Sequence, residues 1–288
     1  MALVLGGVTL FSISDIAAKR LSADLPSLEI TWLRYVMLSA VAVAFALRGG
    51  WTVFRAHQPR LQLVRGLALL GSASFFLLGL SRLGVAEATA ISFVTPALIT
   101  ALSVPLLGET VGVRRWAAVL LGLLGVLVVV RPGGETFHPA AMFSLASAAC
   151  GALAMVATRR LGPKTRARTT LLWSALTGLA LLSLTAPAWF EPPTPRQVML
   201  AAAMGVAYAL GQLSMILAYR QAEASLLAPL TYAQLVTSTG LSWVVFAAVP
   251  DGVTLGGIAI ILASSAYTLH REQVRRRALA AAMVTVAP

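Results

Sequence analysis

The sequence predicts an all-α polytopic membrane protein, and three features carry the prediction. Only 11% of its 288 residues are charged and 58% are hydrophobic, against roughly a quarter charged in soluble domains. The apolar residues collect into ten stretches, each about long enough, at ~1.5 Å per helical residue, to cross a hydrocarbon core of about 30 Å. Charges and turn formers collect between them, in connections too short for an extramembrane domain. The formal net charge of +12 is spread over these connections in small clusters, a pattern suited to anionic lipid headgroups and not to nucleic acid.

In chain order the stretches lie at about 2–19, 28–48, 61–81, 86–107, 113–131, 138–160, 168–187, 196–219, 224–248 and 252–270. The first runs from Met1 to Asp15 without a charge. Lacking a basic n-region and an A-x-A site, it reads as a retained helix and not as a signal peptide. RGG at 48–50 ends the second, and SRLGVAEAT is the faint break between the third and fourth. Pro96 interrupts the fourth, where it removes a backbone donor and frees a carbonyl about one turn earlier. RPGG at 131–134 closes the fifth. The sixth carries Ser144, Ala148 and Ala152 beside Ser147 and Gly151, small-residue ridges that predict close helix packing. Cys150 lies in this ridge and is the only cysteine, so no intrachain disulfide can form. EPPTP at 191–195 and PDG at 250–252 end the seventh and ninth. Trp51, Trp116, Trp173 and Trp189 fall near expected interfaces, and Trp243 falls deeper.

Lysine and arginine orient the chain, because cytoplasmic loops carry their excess. Sixteen fall in one alternating set of loops, among them Arg48, Arg55, Arg60, Arg65, Arg159 and Arg160, and five fall in the other, Lys19, Arg20, Arg82, Arg131 and Arg196. Both termini are therefore expected in the cytoplasm. AAKRL at 17–21 is similar to ATRRL at 157–161, RLGVAEAT at 82–89 to RQAEAS at 220–225, and PLLGETVGV at 105–113 more loosely to AAVPDGVTL at 247–255. Each offset is about half the chain, so residues 1–134 and 135–288 read as two five-helix repeats. An odd number of helices inverts the second repeat, an architecture used by transporters that hold substrate near the midplane.

Two stretches carry a family likeness: SDIAAKRLSADLPSLEITWLRY, and RLGVAEATAISFVTPALITALSVPLLGETVGVRRWAAVLLGLLGVLVVV. They resemble the EamA-type members of the drug/metabolite transporter superfamily through Thr95-Pro96, Gly108-Glu109, Gly122 and Gly125. The compact ten-helix form is most similar to the YddG-type amino-acid exporters, although the second half has Thr231-Tyr232 where the first has Thr95-Pro96. The resemblance implies a multi-pass transporter of the bacterial cytoplasmic (inner) membrane. It would export small metabolites, amino acids of the aromatic and other neutral kinds first among them, by alternating access through a central cavity. Its partners would be that small-molecule substrate and the lipid bilayer, with no nucleic acid, no cofactor and no metal, and a monomer suffices. Proton-coupled export of drugs or other metabolites is the alternative.

Ionisable groups inside membrane segments are functional candidates by default. Asp15 shares a helix face with Lys19 and is expected at a depth similar to Arg34, which suits either a structural ion pair or the outer mouth of a pathway. These three, with Pro96, are the gating or ion-pair candidates. Ser74, Phe75, Phe93, Thr95, Tyr208, Gln212, Tyr232 and Gln234 are the substrate-binding candidates, neutral hydrogen-bonding groups beside aromatic faces at central depth. Such a lining suits a small zwitterion or neutral metabolite. No acid other than Asp15 is expected within a membrane segment, so facilitated diffusion competes with proton antiport. An intramembrane enzyme is disfavoured: His57, His138 and His270 lie in loops or at helix ends, no H-E-x-x-H occurs, and GLSRLG at 79–84 is one residue too long for a nucleophile elbow. A channel would show a filter or a ring of like charge, and neither is present in the sequence.

Overall fold

Backbone groups in hydrocarbon have no water to bond, so an apolar segment must pair them internally, and the long apolar runs fold as helices. The computed structural model describes residues 1–48, 51–130, 138–162, 165–188, 190–221, 227, 230–231, 233–247, 251–264 and 266–267. The helices are α1 (Ala2–Leu21), α2 (Ser27–Leu47), α3 (Pro59–Arg82), α4 (Val85–Ser92), α5 (Thr95–Leu107), α6 (Val113–Val130), α7 (Ala141–Leu161), α8 (Ala167–Thr185), α9 (Pro195–Gln221), α10 (Ala233–Phe246) and α11 (Gly252–Ser264). No strand occurs among the described residues. Seven segments are long and apolar enough to cross a membrane: α1, α2, α3, Glu87–Leu107, α7, α8 and α9. The chain is thus an all-helical, multi-pass membrane protein.

Each of the ten apolar stretches contains helix, and the fourth is broken where the sequence placed its proline. α4 stops at Ser92 and α5 restarts at Thr95, with Pro96 in its first turn. A proline lacks the N–H that a first turn leaves unpaired anyway, so it opens a helix without cost. Gly108 closes α5 in the left-handed region at φ 69°, and its N–H donates to the carbonyls of Ser103 and Val104. Of the stretch expected at 224–248, α10 covers Ala233–Phe246 and Leu227 is helical; residues 224–226, 228–229 and 232 lie outside the described residues.

Helices of the two halves interleave. α1 packs along α9 and α3 along α7, while α2 lies against both α8 and α9. α8 also meets α3, α10 meets α1 and α4, and α5 meets α7. Small residues permit these approaches. A Cβ on Gly79 would stand 2.6 Å from the Ser144 hydroxyl, and one on Gly211 would stand 2.7 Å from the Phe11 ring. The α7 ridge predicted from Ser144 to Ala152 therefore faces α3, with Cys150 against Gly71 and Gly151 against Ser72. One apolar cluster gathers Leu21, Leu80, Leu83, Ile91 and Met204, and a second gathers Val4, Val8, Ile99, Val156 and Tyr219. Along α1 they lie on either side of Phe11 and Asp15.

Two expectations need correction. Arg65, counted above as a loop cation, is wholly buried within α3, where the hydroxyls of Thr158 and Ser174 accept from it. Asp15 is not the only acid in a membrane segment, because Glu29 is buried in the first turn of α2 and accepts at 3.4 Å from the Glu191 N–H. Trp243 is 62% exposed on the outside of α10. Trp189 lies outside the described residues.

The α2–α8 contact is the tightest test of this packing, because a Cβ on Gly178 would stand 2.1 Å from the buried ring of Tyr35. Gly178→Ala is expected to cost about 1–3 kcal/mol by overpacking and to lower the thermal midpoint in detergent. Gly84→Ala, with nothing within 4 Å, should leave it unchanged. Equal midpoints for the two variants would show that Tyr35 has room to yield.

Candidate functional site: a central cavity

The interleaved helices enclose a cavity of about 180 Å³, smaller than the ~300–1,000 Å³ of drug-sized pockets, a size that favours a compact metabolite. Its walls follow helical periodicity. α1 presents Val8, Phe11 and Asp15, α7 presents Ser147, Gly151 and Met155, and α9 presents Tyr208, Gln212, Met215 and Tyr219. Residues three, four and seven apart share a helix face, so each set points one way. The gap between α4 and α5 contributes Ser92, Phe93 and Thr95, α2 contributes Arg34, and Thr231 and Gln234 complete the lining at α10.

Charge is concentrated on one wall. Arg34 donates to Asp15 at 3.4 Å, and Gln234 donates to its other oxygen at 3.2 Å. The Asp15 and Arg34 side chains are 6% and 2% exposed. The Arg34 guanidinium lies 4.7 Å from the Tyr208 ring centroid, a cation–π distance, and Tyr208 in turn meets Phe11 at 5.5 Å. Ser12 and Thr237 share a 2.6 Å hydrogen bond that ties α1 to α10 beside the pair.

The opposite wall is neutral. Thr95 donates to the Ser92 carbonyl at 2.6 Å, using a side chain where the break leaves a carbonyl free, and Ser147 donates to the Ser72 carbonyl at 2.8 Å. Four buried polar atoms on the lining have no hydrogen-bond partner among the described residues: Arg34 Nε on the charged wall, and Thr89 Oγ1, Gln212 Oε1 and the Tyr219 hydroxyl. An unpartnered buried polar group costs about 1–3 kcal/mol, so these atoms mark where a polar guest gains most.

Of the candidates named from sequence, Asp15, Arg34, Phe93, Thr95, Tyr208, Gln212 and Gln234 line the cavity. Ser74 and Phe75 do not. The α3 wall is formed by Leu69, Ser72, Ala73 and Phe76, and Phe75, on another face, stacks on Phe143 at 6.4 Å. Pro96 is buried off the cavity. Lys19 donates to the carbonyls of Leu80 and Leu83 at 2.7 and 2.8 Å, capping the end of α3. It serves the helix end and not the carboxylate four residues before it. Tyr232 lies outside the described residues. The residues missed, Phe11, Met155 and Tyr219 among them, share faces with Asp15, Gly151 and Gln212; extending each face by one turn would have found them.

The sequence pattern of the EamA-like transporter family matches residues 1–131 and again residues 138–269. Similar proteins include an S-adenosylmethionine uptake transporter of Rickettsia bellii, 27% identical over 91% of this chain and 90% of that one. A riboflavin transporter of Rhizobium johnstonii is 27% identical over 96% and 92% of the two chains. A pseudopaline exporter of Pseudomonas aeruginosa is 27% identical over 91% and 93%. A solved crystal structure superposes with a TM-score of 0.73 at 26% identity, covering 93% of this chain and 96% of that one. None of these relatives carries the name of an amino-acid exporter, so the likeness reaches the family and stops short of the narrower group.

The buried pair makes a stability prediction. Arg34→Leu alone leaves Asp15 without its cation and is expected to cost about 3–5 kcal/mol, whereas Asp15→Asn with Arg34→Gln should recover most of that loss. Thermal unfolding of the three variants in detergent measures the coupling; additive losses would show that the pair does not act as a unit.

Proposed function

Because the chain belongs to the EamA-like transporter family, we propose that it carries a compact zwitterionic or neutral metabolite, an amino acid being the class the lining suits, across a bacterial cytoplasmic membrane by alternating access. The observation that carries this reading is the cavity between the halves, where a charged, aromatic wall faces a wall of hydroxyls and buried polar atoms stand without partners.

Several features support two inverted five-helix repeats with both termini in the cytoplasm. The family pattern matches twice, about half a chain apart. Helix contacts come in couples that exchange a helix for its counterpart five segments on: α1 with α9 and α7 with α3, α2 with α9 and α8 with α3, α1 with α10 and α7 with α5. Withdrawing Arg65 from the loop count leaves the basic excess on the same side. Two interlocked repeats can exchange conformations, so that the cavity opens first on one side and then on the other.

Family membership sets no direction, since relatives are named for uptake and for export alike. Among the described residues Asp15 is the only acid on the cavity wall, and both its oxygens are engaged. That arrangement supports transport down the substrate gradient over proton antiport.

The test is uptake of radiolabelled neutral amino acids into proteoliposomes with and without a pH gradient. Saturable uptake indifferent to the gradient is expected, and Gln212→Ala should raise the half-saturation concentration about fivefold, the equivalent of one hydrogen bond near 1 kcal/mol. Gradient-driven accumulation would instead make Asp15 a coupling residue, and unchanged kinetics in Gln212→Ala would remove Gln212 from the site.

A further inference from the structure

The charges buried on or beside the cavity do not balance. Among the described residues the lining holds one acid, Asp15, and one base, Arg34. A second base, Arg65, lies one helical turn from Leu69 on the wall, a rise of about 6 Å. Arg65 is wholly buried, and the structure places no carboxylate within ion-pair distance of it among the described residues. Its Nε donates to Thr158 Oγ1 at 2.6 Å and its Nη1 to Ser174 Oγ, while Nη2 has no partner among the described residues. Both hydroxyls spend their own protons on backbone carbonyls one turn back, at 2.7 and 3.0 Å. They reach Arg65 as neutral acceptors, so the hydrogen bonds are met and the charge remains. Lys19 and Glu29, of opposite sign, are absent from the lining.

The same bias appears at the paired residues. Each oxygen of Asp15 already accepts a hydrogen bond, whereas the buried Nε of Arg34 has no partner among the described residues. A guest meets a carboxylate that is engaged and a guanidinium that still has a proton to give. In a low-dielectric interior an unscreened charge is felt across such distances far more strongly than in water.

We propose that the transport site selects by net charge, favouring a guest that carries an anionic group, a carboxylate or a phosphate, and rejecting net cations of the same size. The proposal rests on the metabolite-cavity reading above and adds to it the sign of the preferred guest. Arg34 contacts the guest, and Arg65 is a positioning residue that sets the potential around it.

Thermal stabilisation of the purified full chain in detergent, titrated with four amino acids, tests this. L-Glutamate and L-glutamine differ in charge at nearly constant shape, as do L-norleucine and L-lysine. Within each pair the less positive member is expected to bind about tenfold more tightly, a difference of about 1.4 kcal/mol per unit charge. Arg65→Gln, which leaves the wall untouched, should shrink both ratios, and Arg65→Lys should retain them; a role confined to hydrogen bonding would not be rescued by lysine in this way. Tighter binding of lysine than norleucine, or ratios indifferent to Arg65→Gln, would overturn the charge selection alone. Stabilisation by none of the four would overturn the compact-metabolite reading on which it rests.

Discussion

A carboxylate and a guanidinium 3.4 Å apart, each almost sealed from solvent, set the terms for everything around them. Leaving either one buried without the other costs about 3–5 kcal/mol, a large share of a protein's net stability, so each fixes the other and the helices that carry them. α1 supplies the acid and α2 the base. α9 supplies the ring under the base, and α10 supplies the amide that holds the remaining carboxylate oxygen. Four helices from both halves therefore meet at one point. The cavity is what remains beside it.

The other half of the architecture is steric. Close approach of α1 to α9 and of α3 to α7 requires glycine and serine at the crossings, as at Gly7, Gly211, Gly79 and Ser144. In lipid there is little hydrophobic gain in pushing two apolar helices together, and contact area with a few polar ties does the holding. Ser12 with Thr237 and Ser147 with the Ser72 carbonyl are ties of that kind. Ser72 and Ser147 also line the cavity, so packing and lining are partly the same residues.

Much of this was legible in the sequence. Apolar runs of spanning length declared the helices, Pro96 declared the break, and polar or aromatic residues in apolar runs pointed to part of the cavity wall, Asp15, Arg34, Thr95, Tyr208 and Gln212 among it. What sequence could not supply was rotational phase. Ser72, Ser74, Phe75 and Phe76 are equivalent by composition, and only the angle of α3 against α7 turns Ser72 and Phe76 inward and Phe75 onto Phe143. Arg65 escaped for another reason. It stands near a helix start among loop arginines, and nothing local to it announces the hydroxyls on α7 and α8 that receive it.

That arrangement bears on how the chain is made. Thr158 and Ser174 lie 93 and 109 residues beyond Arg65, and at roughly 5–20 residues per second they emerge about five to twenty seconds after it. Until then α3 carries an arginine with no acceptor of its own. The nascent helix has to keep that group at the headgroup level, where a long side chain can reach water. Arrival of α7 and α8 lets it descend. Docking of the second half thus completes the seating of the first, and a chain stopped before Thr158 would be left with an arginine its own helices cannot satisfy.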